Sequence, residues 1–224
     1  MTPRIPELHL SVLMPVALVG LGALAVLLGE LFLSRLASVR SRPDAEHWIG
    51  SALGLGAIVF LALACAVSLI AFGVGGAMEF DPGRPIFQLD PFSSLVSALV
   101  TFASLLSCAL AIDYLSELRI NHGEFYALLL LSTCGMLLMV SAVDLIAVFL
   151  GLELMSIPIY VLAGFDRRKL RSNESALKYF LIGSFASAVM LYGMALLYGA
   201  SGSTAYSALR MGMDLHPTLA TLGT

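Results

Sequence analysis

Residues 144–164 read Asp144-Leu145-Ile146-Ala147-Val148-Phe149-Leu150-Gly151-Leu152-Glu153-Leu154-Met155-Ser156-Ile157-Pro158-Ile159-Tyr160-Val161-Leu162-Ala163-Gly164. Between the two ends Glu153 is the single carboxylate in an apolar run. As a helix rising 1.5 Å per residue, a stretch of this length spans the roughly 30 Å hydrocarbon core of a bilayer. Glu153 then sits near mid-membrane, roughly 16 Å from the cytoplasmic end of its helix. A charged side chain at a helix centre costs roughly 2.5 to 3.5 kcal/mol on insertion scales, so its default reading is functional. Ser156 and Tyr160 follow at i+3 and i+7 and share its face, a stripe suited to holding water and hydrogen bonds around a carboxylate. Pro158 removes a backbone donor and leaves a carbonyl free close to the same stripe. The structural alternative is a protonated Glu satisfied by a neighbouring helix.

Working outward, the same pattern repeats. Upstream, 125–142 is a fourth apolar span, joined to the fifth so tightly at 141–144 that the two are antiparallel neighbours. Further spans are predicted at 10–33, 48–73 and 91–115, and downstream at 174–199. The first is too long for a signal-peptide core and no small-residue cleavage site follows it, so it is predicted to remain as a helix. Pro15 is tolerable in its first turns. A polar stretch from Ser34 to Glu46 separates it from the second span, in which Gly50 and Gly54 form a notch for close helix approach. Residues 74–90 differ: Asp81-Pro82-Gly83 places a turn between two short stretches of strand character, which predicts a small hairpin at the membrane surface. A Gly/Ser-rich tail with Arg210 and Asp214 ends the chain.

Composition agrees. Of 224 residues 59% are hydrophobic and 12% charged, with mean hydropathy +0.94. Twelve Lys/Arg and fifteen Asp/Glu cannot cover so apolar a core with polar surface, so lipid or other helices must face it. The expected fold class is therefore all-α membrane, about six transmembrane helices with a small extracytoplasmic hairpin. Cys65, Cys108 and Cys134 lie within apolar runs without ligand spacing, and His9, His47, His122 and His216 are scattered at segment ends, so no metal site is expected. Gly73-Val74-Gly75-Gly76 precedes no helix of a βαβ unit, and the sequon Asn173-Glu174-Ser175 abuts a predicted cytoplasmic loop, so neither motif carries function.

Charge sets the orientation. Arg35, Arg40, Arg42, Arg119, Arg167, Arg168, Lys169 and Arg171 fall in the loops of one side, and Arg4, Arg84 and Arg210 on the other. The basic side is predicted to be cytoplasmic, with the N-terminus, hairpin and tail outside. Lys178, the second ionisable residue well inside a span, lies roughly 8 Å from the cytoplasmic end of the sixth. Two readings stay open for it: a functional cation, or a snorkelling lysine paired with Glu174 at i−4. Glu30, Asp113 and Asp144 are closer to span ends and read as interfacial. The pairs Gly183/Ser187 and Ser184/Ala188 read as packing notches.

Several stretches together carry a family resemblance: Gly123-Glu124-Phe125-Tyr126-Ala127-Leu128, Gly135-Met136, Asp144-Leu145, Leu152-Glu153-Leu154-Met155-Ser156 with Tyr160, and Ser172-Asn173-Glu174-Ser175-Ala176-Leu177-Lys178-Tyr179-Phe180-Leu181 with Ser187, Tyr192-Gly193 and Leu197-Tyr198-Gly199. Over about 90–206 the sequence resembles the antiporter-like membrane subunits of respiratory complex I, and the last run is similar to the branch called subunit N. The first ninety residues agree mainly in span pattern. The resemblance implies the first part of an antiporter-like inverted-repeat fold, with residues 1–122 as an N-terminal three-helix segment and 123–224 as the start of the first repeat. A seventh helix with a proton-carrying lysine is expected beyond Thr224. It implies a proton-translocating subunit of NADH:quinone oxidoreductase in the cell inner membrane, with Glu153 and Lys178 in a proton relay. Such a chain acts in a hetero-oligomer with other membrane subunits and does no redox chemistry of its own. The resemblance leaves NADH, FMN, iron–sulfur clusters and quinone to partner subunits. Cation/proton antiporter and membrane-bound hydrogenase subunits are the related alternatives, and a packing subunit without an ion path is the bland one. No nucleic-acid partner is implied.

Overall fold

Asp90 shows how the sequence starts its helices. Its carboxylate accepts from Ser93 N at 2.6 Å while Ser93 Oγ accepts from Asp90 N at 2.8 Å, a capping box closed by Pro91 in the first turn. The computed structural model describes residues 9–40, 45–81, 85–118, 120 and 122–209. A 3-10 turn Leu10–Leu13 leads into α1 Met14–Arg40, followed by α2 Ala45–Val74, β1 Met78–Glu79, β2 Gln88–Leu89, α3 Pro91–Glu117, α4 Gly123–Ser141, α5 Leu145–Ala163 and α6 Leu170–Ser201. Among the described residues six helices are long and apolar enough to cross a membrane, as predicted, and the chain is a multi-pass membrane protein.

Two predicted boundaries move. The polar stretch Ser34–Glu46 is helical through Arg40 and again from Ala45, because it contains no Gly and no Pro before Pro43. Polarity there marks where the membrane span ends and says nothing about where the helix ends. Likewise α6 begins at Leu170, four residues before its predicted start and inside the basic loop.

α1 to α4 share one core. Val19, Ala23 and Val26 of α1 meet Ala57, Leu61 and Ala64 of α2, Cys108 and Leu115 of α3, and Tyr126, Leu130 and Leu137 of α4. Small residues line the inward face of α3, where Ser94, Ser97, Thr101, Ser104 and Cys108 are buried, while Leu99, Phe102, Leu106 and Leu110 point outward. This arrangement suits lipid, which gives helices no hydrophobic reason to bury large side chains against one another. Some of the buried hydroxyls bond within the bundle, Thr101 Oγ1 donating to Ser97 O at 2.8 Å and Thr133 Oγ1 to Ser104 Oγ at 2.9 Å, whereas Ser132 Oγ is buried with no partner among the described residues. The Gly54 notch receives Tyr126 and Ile112, whose atoms stand 2.8 and 2.9 Å from any Cβ built there. α5 packs on α4, and α6 packs on α5.

One end of the bundle is stitched by strand-like pairings. Met78 pairs with Leu89 and Glu79 with Gln88 in the predicted hairpin, whose turn residues 82–84 lie outside the described residues. His9 N donates to Phe80 O at 3.1 Å, Val143 N to Ile86 O at 2.9 Å, and Tyr206 N to Val143 O at 3.1 Å. The residue preceding the first helix, the hairpin, the α4–α5 turn and the segment after α6 therefore share one side, as the alternation of six spans requires. At the opposite end Glu30 reaches α4, and Phe125 stacks edge-on against Phe165 at 5.3 Å.

A candidate proton-relay site on helices five and six

The α4–α5 contact decides which way Glu153 points. A Cβ on Gly135 of α4 would overlap the backbone nitrogen of Met155, and one on Gly151 of α5 would stand 2.9 Å from Met139 Cγ. The two helices thus touch backbone to backbone along the Gly151 face of α5. Glu153 lies two residues further, about 200° around the helix, and so on the side turned away from α4. Tyr160, seven residues on and on the same side as Glu153, meets α6: a Cβ on Gly183 would overlap its hydroxyl. Its ring also stacks edge-on with Tyr179 at 5.0 Å and Phe180 at 5.9 Å. The Gly183 notch therefore receives an aromatic ring.

Glu153 sits eight residues after Leu145 and ten before Ala163, which puts about 12 and 15 Å of helix on its two sides. Its Oε1 is buried and has no hydrogen-bond partner among the described residues. Ser156 is buried on the same face, but no hydrogen bond joins Ser156 or Tyr160 to the carboxylate. An unsatisfied carboxylate oxygen in a low-polarity setting is costly, and native proteins keep such groups where water or a mobile proton is needed. Pro158 is buried inside α5. The carbonyl it frees is that of Leu154, whose carbon stands 2.8 Å from a Cβ built on Gly135. That carbonyl lies on the α4 side of the helix and not on the Glu153 stripe expected for it.

Lys178 is placed differently. It donates to Glu174 Oε1 at 2.5 Å, the i−4 pair foreseen in the sequence, and its side chain is 69% exposed. It lies five residues before Gly183, about 140° around α6 from the face that meets Tyr160. Among the described residues, then, Glu153 and Lys178 are not brought into contact: one faces α6 and the other lies on its outer surface.

On the basic side, a cleft of about 180 Å³ is lined by residues that include His122, Glu124, Phe165, Asp166 and Arg167. Lys169 Nζ lies 2.9 Å from Asp166 Oδ2. The Lys169 hydrogen bond, helped by one from Arg168 N, holds the Asp166 carboxyl below its ordinary range, and the same pair raises Lys169. Sequence reasoning placed Glu30 and Asp144 at the interface without partners. Glu30 Oε2 in fact accepts from Gly123 N at 3.1 Å. Asp144 Oδ1 accepts from Ile146 N at 2.8 Å and its Oδ2 from Thr204 Oγ1 at 2.6 Å. An Asp immediately before an apolar run is a cap signal that would have found the first of these Asp144 bonds. The Glu30 and Thr204 contacts are tertiary and leave no local trace.

Residues 142–222 match the family described as NADH:quinone oxidoreductase/Mrp antiporter, transmembrane region. NADH-quinone oxidoreductase subunit N 1 of Sorangium cellulosum is 41% identical over 196 residues, covering 85% of this chain and 37% of that protein. Subunit N of Chloroflexus aggregans is 35% identical over 221 residues, 96% of this chain and 42% of that one. The chain thus spans about two fifths of the length of these relatives. In solved structures, a chain of respiratory complex I from Thermus thermophilus with bound aureothin superposes with TM-score 0.66 at 29% identity, over 94% of this chain and 43% of that one. A chain of an archaeal membrane-bound sulfane sulfur reductase shares the fold, with TM-score 0.69 at 21% identity over 95% of this chain and 42% of that one. Glu153, Lys178, Asp144 and Thr204 all lie within residues 142–222, the segment that matches the NADH:quinone oxidoreductase/Mrp antiporter transmembrane family.

Proposed function

We propose that this chain is part of a proton-translocating membrane subunit of an NADH:quinone oxidoreductase, with Glu153 as its mid-membrane relay carboxylate. The observation that carries the reading is the buried, unpartnered Glu153 Oε1 on the face of α5 turned toward α6. Similarity to subunit N proteins at 35 and 41% identity favours this over an ion-gradient antiporter or hydrogenase subunit. Lys178, held by Glu174 on the outer face of α6, acts as a second station, reached by a proton that passes around α6 and not by direct transfer from Glu153. Residues 123–224 form the start of an antiporter-like repeat. Electron transfer from NADH through FMN and iron–sulfur clusters to quinone belongs to partner subunits, and this chain contributes no redox group. It lies in the cell inner membrane with its N-terminus outside, since the eight basic loop residues share the other side.

The test is to delete the gene and compare NADH-driven acidification of inverted membrane vesicles with and without complementation. Loss of both quinone reduction and acidification, restored together, supports the reading. Acidification that persists with NADH and responds only to an imposed cation gradient would favour the antiporter alternative.

A further inference from the structure

α6 packs on α5 and has no residue buried within its most apolar stretch. Its attachments lie in its basic-side half and just beyond its far end. Near the basic side Ala176 Cβ stands 2.8 Å from a Cβ built on Gly164, and Gly183 meets Tyr160. At the far side the chain turns at Gly202 in left-handed conformation, φ 69°, with Ser201 Oγ donating to Ser203 O at 2.8 Å. The turn delivers Thr204 to Asp144. Leu145 N donates to Thr204 O at 2.9 Å, and Asp144 pairs with Ala205 as an isolated antiparallel bridge. Between the two attachments lies an apolar cleft of about 230 Å³, lined by residues that include Phe149, one turn from Glu153, and Leu191 and Met194.

We infer that Asp144 is a positioning residue for Glu153: clasped to Thr204, it holds the end of α6 against α5 and keeps the Glu153 carboxylate screened. Both carboxylate oxygens are engaged, one capping α5 through Ile146 N and the other taking the Thr204 hydroxyl. With a cleft in place of tight packing over this part of the helix pair, the clasp sets how closely α6 approaches α5 there. The inference rests on Glu153 being the relay carboxylate.

Three variants in the assembled complex in native membranes separate the possibilities. Asp144→Ala and Thr204→Val each remove the cross-helix hydrogen bond. Asp144→Asn keeps the α5 cap through Oδ1 and offers Nδ2 to the Thr204 hydroxyl, so it restores the clasp without the charge. Amide exchange over residues 190–206 is expected to rise about tenfold or more in the first two, in line with loss of a charge-assisted bond, and to stay at the wild-type rate in the third. NADH-driven pumping is expected to fall in Asp144→Ala and Thr204→Val and to return to the wild-type level in Asp144→Asn, a rescue that fails when Glu153→Gln is added. Asp144→Asn as damaging as Asp144→Ala would overturn the inference in favour of a charge role, as would unchanged exchange in both disrupting variants. If Glu153→Gln pumps normally while exchange still rises, the relay reading has failed and the clasp has not.

Discussion

Glu30 of α1 caps α4: its Oε2 accepts from Gly123 N at 3.1 Å, across 93 residues of sequence. The first turn of a helix exposes unpaired N–H groups and the positive end of its dipole, so a carboxylate there is stabilised twice. Gly123 is the residue that lets it approach, since a Cβ would lie 2.5 Å from Leu53 Cδ1 and 2.6 Å from Glu30 Oε2.

Glu30→Ala should therefore lower the stability of the α1–α4 bundle by about 1–3 kcal/mol, and Glu30→Gln by less, because the amide oxygen still accepts from Gly123 N. Gly123→Ala should also destabilise, through overlap with Leu53. Thermal unfolding of the detergent-solubilised complex, followed by loss of this subunit, orders the three. A Glu30→Ala melting curve superimposable on wild type would show that water replaces the carboxylate without cost.

The backbone contact between α4 and α5 gives a second prediction. Gly135→Val adds three carbons, the first of which already overlaps Met155 N and Gly151 O, so the helices must separate, and overpacking of this kind costs about 1–3 kcal/mol or more. Gly56 has open space around it, with nothing within 4 Å of a built Cβ, and Gly56→Val should be tolerated. Assembly yield on native gels compares the two. Equal yields would mean that α5 is free to shift on α4.

The six spans and the hairpin were legible because each is a local pattern: long apolar runs, and Asp81-Pro82-Gly83 between short stretches of strand character. Helix ends were less legible. Arg35 and Arg40 mark the edge of the membrane, yet α1 continues through them, since hydropathy reports the solvent and not the backbone. Glu153 was found by its cost alone. Its orientation was not, because that depends on Gly151 meeting Gly135 in another helix. The Lys178–Glu174 pair was visible as an i−4 spacing, whereas the separation of Lys178 from Glu153 follows from how α6 is rotated on α5.

Sidedness gives a third prediction. Cysteine introduced at Arg168 should react only with reagent added on the cytoplasmic side, and cysteine at Gly83 only from outside. Gly83 lies outside the described residues, but Phe87, just before the second strand of the hairpin, bridges Ala142 of the α4–α5 turn on the side opposite Arg168. Labelling of Gly83→Cys from the cytoplasm would invert the assignment made from basic loop residues.

The final prediction concerns Glu153. Its Oε1 is buried and unpartnered, so replacing the carboxylate by an amide removes charge and proton-binding capacity while leaving shape and packing unchanged. Glu153→Gln should assemble normally and reduce NADH-driven proton pumping, with Glu153→Asp less harmful because it keeps the titratable group. The expected loss is about tenfold in pumping, which is about 1.4 kcal/mol in one relay step. Lys178→Ala should do less, because Lys178 is largely exposed and paired with Glu174, an arrangement whose coupling is about 0.3–0.5 kcal/mol for an exposed i,i+4 pair. Quinone reduction and pH-gradient formation are measured together in membranes carrying each variant, so that a slowed enzyme is told apart from an uncoupled one. If Glu153→Gln matches wild type in both rates with the complex fully assembled, Glu153 is a structural group and the relay must run through other residues.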